Sequence, residues 1–369
     1  MCFMSSDSAD HSHSQHNSDR PHRRRQRYSG SHPRRFEHRY KEHAPQAYPG
    51  IVEQVRARGG TPAGTHIPVL VDEIMAALRP APGELVADCT LGYGGHTEVF
   101  LDRIAPTGRV WAFDVDAASM QRTKERLAPK AGDRIRYHRS NFAGIGKVLG
   151  EAGIDGFDVI LADLGVSSMQ VDMPDRGFSY KFDGPLDMRM DDRIPRSAAD
   201  LLMTLSTEQI AQALDEFADE PDAIGIAQQI VQSRDRQPIR TTQQLTRLIF
   251  EVKRITPNQW RKRAKERQNE LHPAARTFQA LRILVNDELG SLRSLLRVVP
   301  SCLRPGGRIG IISFHSGEDR LVERSFNECR LSGIYEEVST EPIRPSGRER
   351  FDNPRSASAK FRWARRVMA

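Results

Sequence analysis

The sequence predicts an α/β fold in which a parallel sheet, with helices on both faces, is interrupted by a mostly helical insertion. From residue 85 to residue 162, short apolar strand-like runs alternate with helix-like runs in the order βαβαβαβ. The strand pattern resumes only at Arg308–Phe314, so the residues between these regions are expected to form a separate helical segment.

Each element of the sheet region has its own local signal. Short apolar runs bounded by turn formers or carboxylates predict four strands, at Leu85–Thr90, Val110–Asp114, Ile135–His138 and Phe157–Ala162. Apolar residues at helical spacing predict helices that begin at Thr97 and that lie near Ala117–Leu127 and Gly144–Ala152.

The insertion contains two capping boxes, in which a Ser or Thr and a Gln three residues later bond each other's backbone N–H groups. Ser206–Gln209 and Thr241–Gln244 each precede a run with apolar residues on one helical face. Gln279–Leu296 predicts one long helix that returns the chain to the sheet. We therefore assign residues 61–171 and 286–369 to the sheet domain and residues 172–285 to an inserted helical domain for substrate recognition.

Composition and charge narrow the class of protein. The 369 residues are 38% hydrophobic, which supports a packed core, and the net charge of +7 favours a polyanionic partner, nucleic acid before membrane. No apolar run approaches the ~20 residues of a membrane span, and no signal-peptide core is present. The four cysteines form no C-x-x-C pair, which indicates reduced thiols in a cytoplasmic protein, with Cys89 and Cys302 in the core. The oligomeric state stays open.

Residues 1–60 are rich in Ser, His and Arg and have almost no aliphatic periodicity, which predicts a disordered basic tail. The histidines of this stretch are accompanied by no Cys or carboxylate frame, so a solvated tail explains them better than a metal site. Its arginine run can contact RNA phosphates.

The most informative stretch is Leu85–His96, where an apolar strand ends in a carboxylate and a glycine-rich turn follows at once. Bare backbone between a strand and a helix is the usual place for a nucleotide-like cofactor in an open α/β sheet. The next strand ends in Asp114, where a carboxylate can accept hydrogen bonds from ribose hydroxyls. Thr97 stands at the third position of the dinucleotide pattern, which favours a cofactor without phosphates, such as S-adenosylmethionine. A glycine-rich turn without a ligand is the alternative.

Two further strand ends carry polar side chains. The fourth strand runs into Asp163, Ser167 and Ser168, which would face the cofactor crevice or would cap the next helix. The fifth strand runs into His315 and Ser316, which can begin a helix and can also lie at the same sheet edge as Asp163.

Basic residues are concentrated in two segments. Arg261–Arg267 is a charge run in the insertion, and Arg355–Arg366 is a basic segment near the C-terminus. Such runs form a solvated face or contact phosphates, and the net basic charge of the chain keeps RNA contact open. The RNA-binding candidates are Arg261, Lys262, Arg263, Lys265, Arg355, Lys360 and Arg362.

Several longer motifs follow one another in order: HIPVL, DCTLGYGGHT, NF, DLGVSSMQVD, RGFSY, GPLDMRMD, TFQALRILVNDEL, ISFHSGEDR and NPRSASAK. With these motifs the chain resembles the bacterial 16S rRNA (cytosine-N4)-methyltransferase family, RsmH (MraW), from about His66 to Val367. The resemblance implies a Rossmann-like class I S-adenosylmethionine-dependent methyltransferase sheet with an inserted, mostly α-helical domain. It also implies N4-methylation of a cytidine in the decoding (P-site) region of 16S rRNA, within the small ribosomal subunit or its precursor.

The resemblance implies roles for particular residues. Asp163, Ser167 and Ser168 become catalytic candidates, because they could accept hydrogen bonds from the cytosine amine. No metal is needed, because the sulfonium leaving group of S-adenosylmethionine is already activated. A small-molecule methyltransferase and a non-catalytic RNA-binding assembly factor are the alternatives. Matched motif by motif, the contacts to the cofactor fall on Gly94, Gly95, His96, Asp114, Phe142, Asp163 and Gln170.

Overall fold

The computed structural model describes residues 68–266 and 270–368, so the tail predicted at residues 1–60 lies outside the described residues. The strands are β1 (Leu85–Asp88), β2 (Arg109–Asp114), β3 (Ile135–Arg139), β4 (Phe157–Asp163), β5 (Leu303–Ser313), β6 (Tyr335–Val338) and β7 (Lys360–Arg366). Within the described ranges these strands form one sheet in the order β3-β2-β1-β4-β5-β7-β6. The strands from β3 to β5 are parallel, whereas β7 is antiparallel to both β5 and β6.

The helices surround this sheet and fill the insertion. The helices of the first half are α1 (Val71–Leu78), α2 (Gly95–Arg103), α3 (Ala117–Ala131), α4 (Ile145–Ala152) and α5 (Ser168–Asp172). Those of the insertion are α6 (Ala198–Thr204), α7 (Thr207–Ala218), α8 (Ala223–Arg234), α9 (Thr242–Val252), α10 (Pro257–Glu266) and α11 (Ala275–Asn286). The remaining helices are α12 (Glu288–Cys302), α13 (Ser316–Leu331) and α14 (Gly347–Asp352).

Both faces of the sheet are covered. Because successive side chains of a strand point to opposite faces, Val86 of β1 packs with α1, α2 and α3, while Ala87 packs with α4, α12 and α13. Cys89 and Cys302 are buried in the second of these layers, as predicted. The predicted fold class, a Rossmann-like parallel sheet with helices on both faces, is confirmed.

The insertion has a hydrophobic core of its own, which extends from Phe178 to Val285 and includes side chains of α6, α7, α8, α9 and α11. Both predicted capping boxes are present, since Ser206 caps α7 with Gln209 and Thr241 caps α9 with Gln244. Each box satisfies backbone N–H groups that a helix leaves unpaired at its start. The core of the insertion therefore forms from one continuous stretch of sequence.

The secondary structure differs from the prediction in two places. The single helix expected over Gln279–Leu296 is two helices, because Asp287 adopts the left-handed conformation with φ 46° between α11 and α12. Strands β6 and β7 were not predicted, and β7 contains residues 360–366 of the basic segment that was expected to contact RNA.

Within residues 68–266 and 270–368, no helix combines the length and the apolar character that crossing a membrane requires.

Candidate active site

A cleft of about 520 Å³ lies at the carboxyl ends of the parallel strands. The strand order reverses between β1 and β4, and this switch point is where open α/β sheets bind ligands. The cleft is lined by residues that follow strands β1 to β5 and by residues of the insertion, α11 and α12. Of the predicted site residues, the cleft is lined by Gly95, His96, Asp114, Phe142, Asp163, Ser167, Gln170 and Arg355.

The glycine-rich turn after β1 uses its glycines in two ways. Gly92 has φ 48°, and a Cβ there would have only the backbone oxygen of Thr90 nearby, at 3.9 Å. Bare backbone therefore faces the cleft at this position. Gly94 has φ 72°, and a Cβ there would lie 2.7 Å from Thr123 Cγ2 of α3. Gly94 is not among the residues that line the cleft. Its missing side chain lets α3 approach the turn, and its contact with the cofactor stays a prediction.

Asp114, at the end of β2, holds the same turn in place. Its Oδ2 accepts a hydrogen bond of 2.8 Å from the Gly92 N–H, and its Oδ1 accepts one of 2.8 Å from the Asp116 N–H. Burial raises the pKa of Asp114 to about 6, although these two hydrogen bonds oppose the increase. Each carboxylate oxygen has a further lone pair, so the group can also accept hydrogen bonds from a ligand.

Asp163, at the end of β4, presents an unsatisfied acceptor. Its backbone N–H donates to Thr90 Oγ1 at 2.7 Å, which fixes the end of the strand. Its Oδ1 is buried and has no hydrogen-bond partner among the described residues. Burial raises the pKa of Asp163 to about 6, and the nearby carboxylates Asp88 and Glu318 add to the increase, while His96 opposes it. A buried acceptor of this kind is costly unless a ligand satisfies it.

His96 stands beside this carboxylate. Its Nε2 lies 2.9 Å from the backbone oxygen of Val69, a group that can only accept a hydrogen bond, so Nε2 carries the proton. Its Nδ1 lies 3.9 Å from Asp163 Oδ2. His96 therefore shares the cleft with Asp163 and is held there by the backbone.

Ser167 and Gln170 form a capping box at the start of α5. The Ser167 N–H donates to Gln170 Oε1 at 3.0 Å, and the Gln170 N–H donates to Ser167 Oγ at 3.2 Å. Gln170 Nε2 also donates to Asp116 Oδ2 at 3.1 Å. Ser167 therefore caps a helix and also lines the cleft, so both interpretations of this segment apply to it. The side chain of Ser168 lies outside the described part of the structure.

The cleft is also lined by residues that sequence reasoning missed. Asn286 Oδ1 accepts a hydrogen bond of 2.7 Å from the Met190 N–H, and its Nδ2 donates to the Met188 oxygen at 2.8 Å. Arg282 donates two hydrogen bonds to Glu288, at 2.7 and 2.9 Å. Arg282 and Asn286 are polar residues four positions apart, so they share one face of α11, which was the available signal.

The comparison with known proteins decides the family. The sequence profile of the MraW methylase family matches residues 63–367. The chain belongs to the MraW methylase family. It is therefore a methyltransferase, and its cofactor is S-adenosyl-L-methionine.

Several curated relatives of this methylase align over nearly its whole length. It is 45% identical to "Ribosomal RNA small subunit methyltransferase H 1" of Lachnoclostridium phytofermentans, over 94% of both chains. It is 42% identical to the protein of the same name in Agathobacter rectalis, over 95% of this chain and 99% of the relative. It is 43% identical to "Ribosomal RNA small subunit methyltransferase H" of Symbiobacterium thermophilum, over 80% of this chain and 95% of the relative.

The cleft of the methylase fits a cofactor that carries a positive sulfonium and a nucleoside. Asp114 offers free lone pairs beside the bare backbone of Gly92, a combination that suits a ribose. The unpartnered Oδ1 of Asp163 suits a hydrogen-bond donor or a positive charge. Phe142, half-buried at the edge of the cleft, provides an aromatic face that suits an adenine ring.

The predicted RNA contacts in the insertion of the methylase lie on its surface. They belong to α10, a helix that buries none of its side chains. Arg267 lies outside the described residues. The four candidates on α10 are all exposed: Arg261, Lys262, Arg263 and Lys265.

The candidates near the C-terminus behave differently. Arg362 is buried and donates to Asp319 Oδ1 at 2.7 Å, and Lys360 donates to the other oxygen of Asp319 at 2.9 Å. Their assignment to RNA is corrected, because this internal ion pair already uses their charges. Arg355 lies at the cleft and donates to both carboxylate oxygens of Asp172 at 3.0 Å.

Proposed function

We propose that this methylase transfers a methyl group to N4 of a cytidine in the decoding (P-site) region of 16S rRNA. The observation that carries the proposal is the buried, unpartnered Oδ1 of Asp163 inside the cofactor cleft. The names of the relatives, which are small-subunit rRNA methyltransferases, support rRNA as the substrate class. The proposed substrate is the small ribosomal subunit or its precursor, and the proposed location is the cytoplasm.

The cytosine amine is a poor nucleophile, because its lone pair is delocalised into the ring. S-adenosylmethionine supplies an activated methyl group when it is bound. Asp163 Oδ1 would accept a hydrogen bond from one amine proton, and this contact turns the nitrogen lone pair toward the methyl group. The amine must lose one proton when it gains the methyl group, and the Asp163 carboxylate can take that proton.

The two domains have complementary roles in this proposal. The sheet domain, residues 61–171 and 286–369, holds the cofactor, while the insertion, residues 172–285, recognises the RNA. Base chemistry requires a single-stranded or flipped nucleotide, because the amine is inaccessible inside a stacked helix. The exposed cations of α10 supply charge that attracts the phosphate backbone without reading its sequence.

The test is nucleoside mass spectrometry of small-subunit rRNA from cells with and without the protein. The expected result is loss of N4-methylcytidine from the decoding region in its absence, with restoration by the wild-type protein. Asp163→Asn should not restore it, because an amide cannot accept the proton, and removal of a general base costs roughly 10²- to 10⁴-fold in rate. An unchanged nucleoside profile would refute the proposal. Salt-insensitive methylation of free cytidine would point to a small-molecule enzyme instead.

A further inference from the structure

Residues 343–361 form an ordered excursion from the sheet. The backbone N–H of Ile343 donates to the Phe361 oxygen at 2.9 Å, and the N–H of Phe361 donates to the Ile343 oxygen at 2.9 Å. Ser346 caps α14, which lies within the excursion, by accepting a hydrogen bond from the Glu349 N–H. Both ends of the segment are therefore pinned together, and its middle has regular structure.

This excursion stands at the mouth of the cofactor cleft. The first residue of β7, Lys360, pairs with Ser313, which ends β5 at the carboxyl edge of the sheet. Asn353 and Arg355, directly after α14, line the cleft. The ion pair between Arg355 and Asp172 fastens the segment to the end of α5.

A second contact fastens α14 to the segment before α1. Glu349 Oε1 accepts a hydrogen bond of 2.8 Å from the backbone N–H of Leu70, which precedes α1. The helix is therefore held at two points, and its remaining side chains are presented in a fixed position beside the cleft.

The surface of α14 combines an exposed aromatic ring with arginines. Phe351 is 85% exposed, which is unusual for a large apolar side chain on an ordered helix. Arg348 and Arg350 of the same helix are also exposed, as is Arg344, which lies three residues before it. Arg348 approaches Asp352 at 3.8 Å, but a surface pair of this kind contributes little and leaves the arginine able to contact other groups.

We propose that α14 is a binding platform for single-stranded RNA, on which Phe351 stacks with a base adjacent to the target cytidine. Arg344, which precedes α14, and Arg348 and Arg350, which belong to it, contact phosphates of the same strand. Aromatic rings interleaved with cations are the general means of binding single-stranded nucleic acid. A nucleotide that leaves its stack to enter the cleft exposes the face of its neighbour, and Phe351 covers that face. The inference rests on the proposed function, because it names the surface that guides RNA into the same site.

The experiment compares Phe351→Ala and Phe351→Trp with a control, Leu331→Ala, which removes another exposed apolar side chain (89% exposed) at the end of α13. The substrate is small ribosomal subunits from cells that lack the protein. Phe351→Ala should raise the KM for these subunits roughly 5- to 100-fold, the range for loss of one stacked base. Phe351→Trp should keep wild-type KM, and Leu331→Ala should not change it. Calorimetric cofactor affinity should be equal in all four proteins.

A binding measurement separates this inference from the proposed function. A single-stranded RNA with 2-aminopurine next to the target position should lose fluorescence on binding to wild-type protein, because stacking quenches the probe. Phe351→Ala should bind without this quenching, while replacing Arg344 and Arg350 by Gln should reduce the salt dependence of binding. If Phe351→Ala quenches the probe and methylates as wild type does, the platform is refuted and the proposed function stands. If wild-type protein makes no N4-methylcytidine, the proposed function fails, and the quenching still tests the platform.

Discussion

Replacing Asp163 by Asn should stabilise the cofactor-free protein while it abolishes methyl transfer. The carboxylate is held in a partly desolvated cleft near Asp88 and Glu318, and its Oδ1 has no partner within the described ranges. Asn has nearly the same shape and no charge, so it removes the repulsion without leaving a cavity. Its amide can also face Nδ1 of His96, which lies 3.9 Å from Asp163 Oδ2.

The magnitude follows from the pKa of Asp163, which is raised from 3.8 to about 6 in the folded protein. A carboxyl group with a raised pKa binds its proton more tightly when folded, so its contribution to stability is lost as the pH rises from about 4 to about 6. The difference corresponds to about 3 kcal/mol above pH 6, at about 1.4 kcal/mol for each tenfold change in proton affinity. Because the side chain is 21% exposed, solvent reduces this value, and we expect about 1–3 kcal/mol.

Thermal unfolding of the cofactor-free wild type and variant, measured at pH 4.5 and pH 8, checks this reasoning. At pH 8 the Asp163→Asn protein should unfold about 2–6 °C above wild type. The difference should shrink to roughly a third of that at pH 4.5, where Asp163 is protonated in the folded protein but still largely ionised in the unfolded chain. The same preparations should show no methylation of small subunits by the variant. A variant that is less stable than wild type at pH 8, or equally stabilised at both pH values, would show that Asp163 is not a strained carboxylate.

Three further results are expected. Asp114→Ala should weaken S-adenosylmethionine binding roughly ten- to a hundredfold or more, because it removes charge-assisted hydrogen bonds, and unchanged affinity in calorimetry would contradict the ribose assignment. Since burial raises the pKa of Asp114 to about 6, wild-type cofactor affinity should fall as the pH drops below about 6. Titrations of the cofactor from pH 5 to pH 8 measure this, and an affinity that does not change with pH would contradict it. Neutralising the cations of α10 should flatten the salt dependence of RNA binding, by a log–log slope of roughly 0.7 for each phosphate that the protein no longer neutralises. The same change should raise the KM for subunits without changing cofactor affinity. An unchanged slope would mean that these cations form only a solvated face: Arg261, Lys262, Arg263 and Lys265.

The sequence was sufficient for the parts of the fold that local patterns determine. The first four strands, the glycine turn and the capping boxes all follow from apolar spacing and from residues that suit turns or helix starts. Asp114 and Asp163 were predicted to lie at one sheet edge because the carboxyl ends of parallel strands meet there.

The rest depends on contacts between distant segments. β7 was missed because it contains Arg362, whose burial depends on its ion pairs with Asp319 and Glu323 on α13. The break at Asp287 was missed because helix-forming residues stand on both sides of it, and one left-handed residue leaves the apolar period intact. The positions of Arg282 and Asn286 at the cleft depend on how the insertion packs, which no local pattern specifies.

The position of β7 in the sheet sets the order in which the parts of this protein can fold during synthesis. The core of the insertion extends from Phe178 to Val285, so all of its side chains have been made before β5 begins. β7, by contrast, lies between β5 and β6. Its Phe361 is fully buried and packs so closely on Gly310 of β5 that a Cβ on this glycine would lie 2.5 Å from the ring. Domains form as their residues emerge, N-terminal parts first. The inserted domain can therefore fold before the sheet that carries it, and the cofactor cleft is completed only when residues 360–366 close the exposed strand edges.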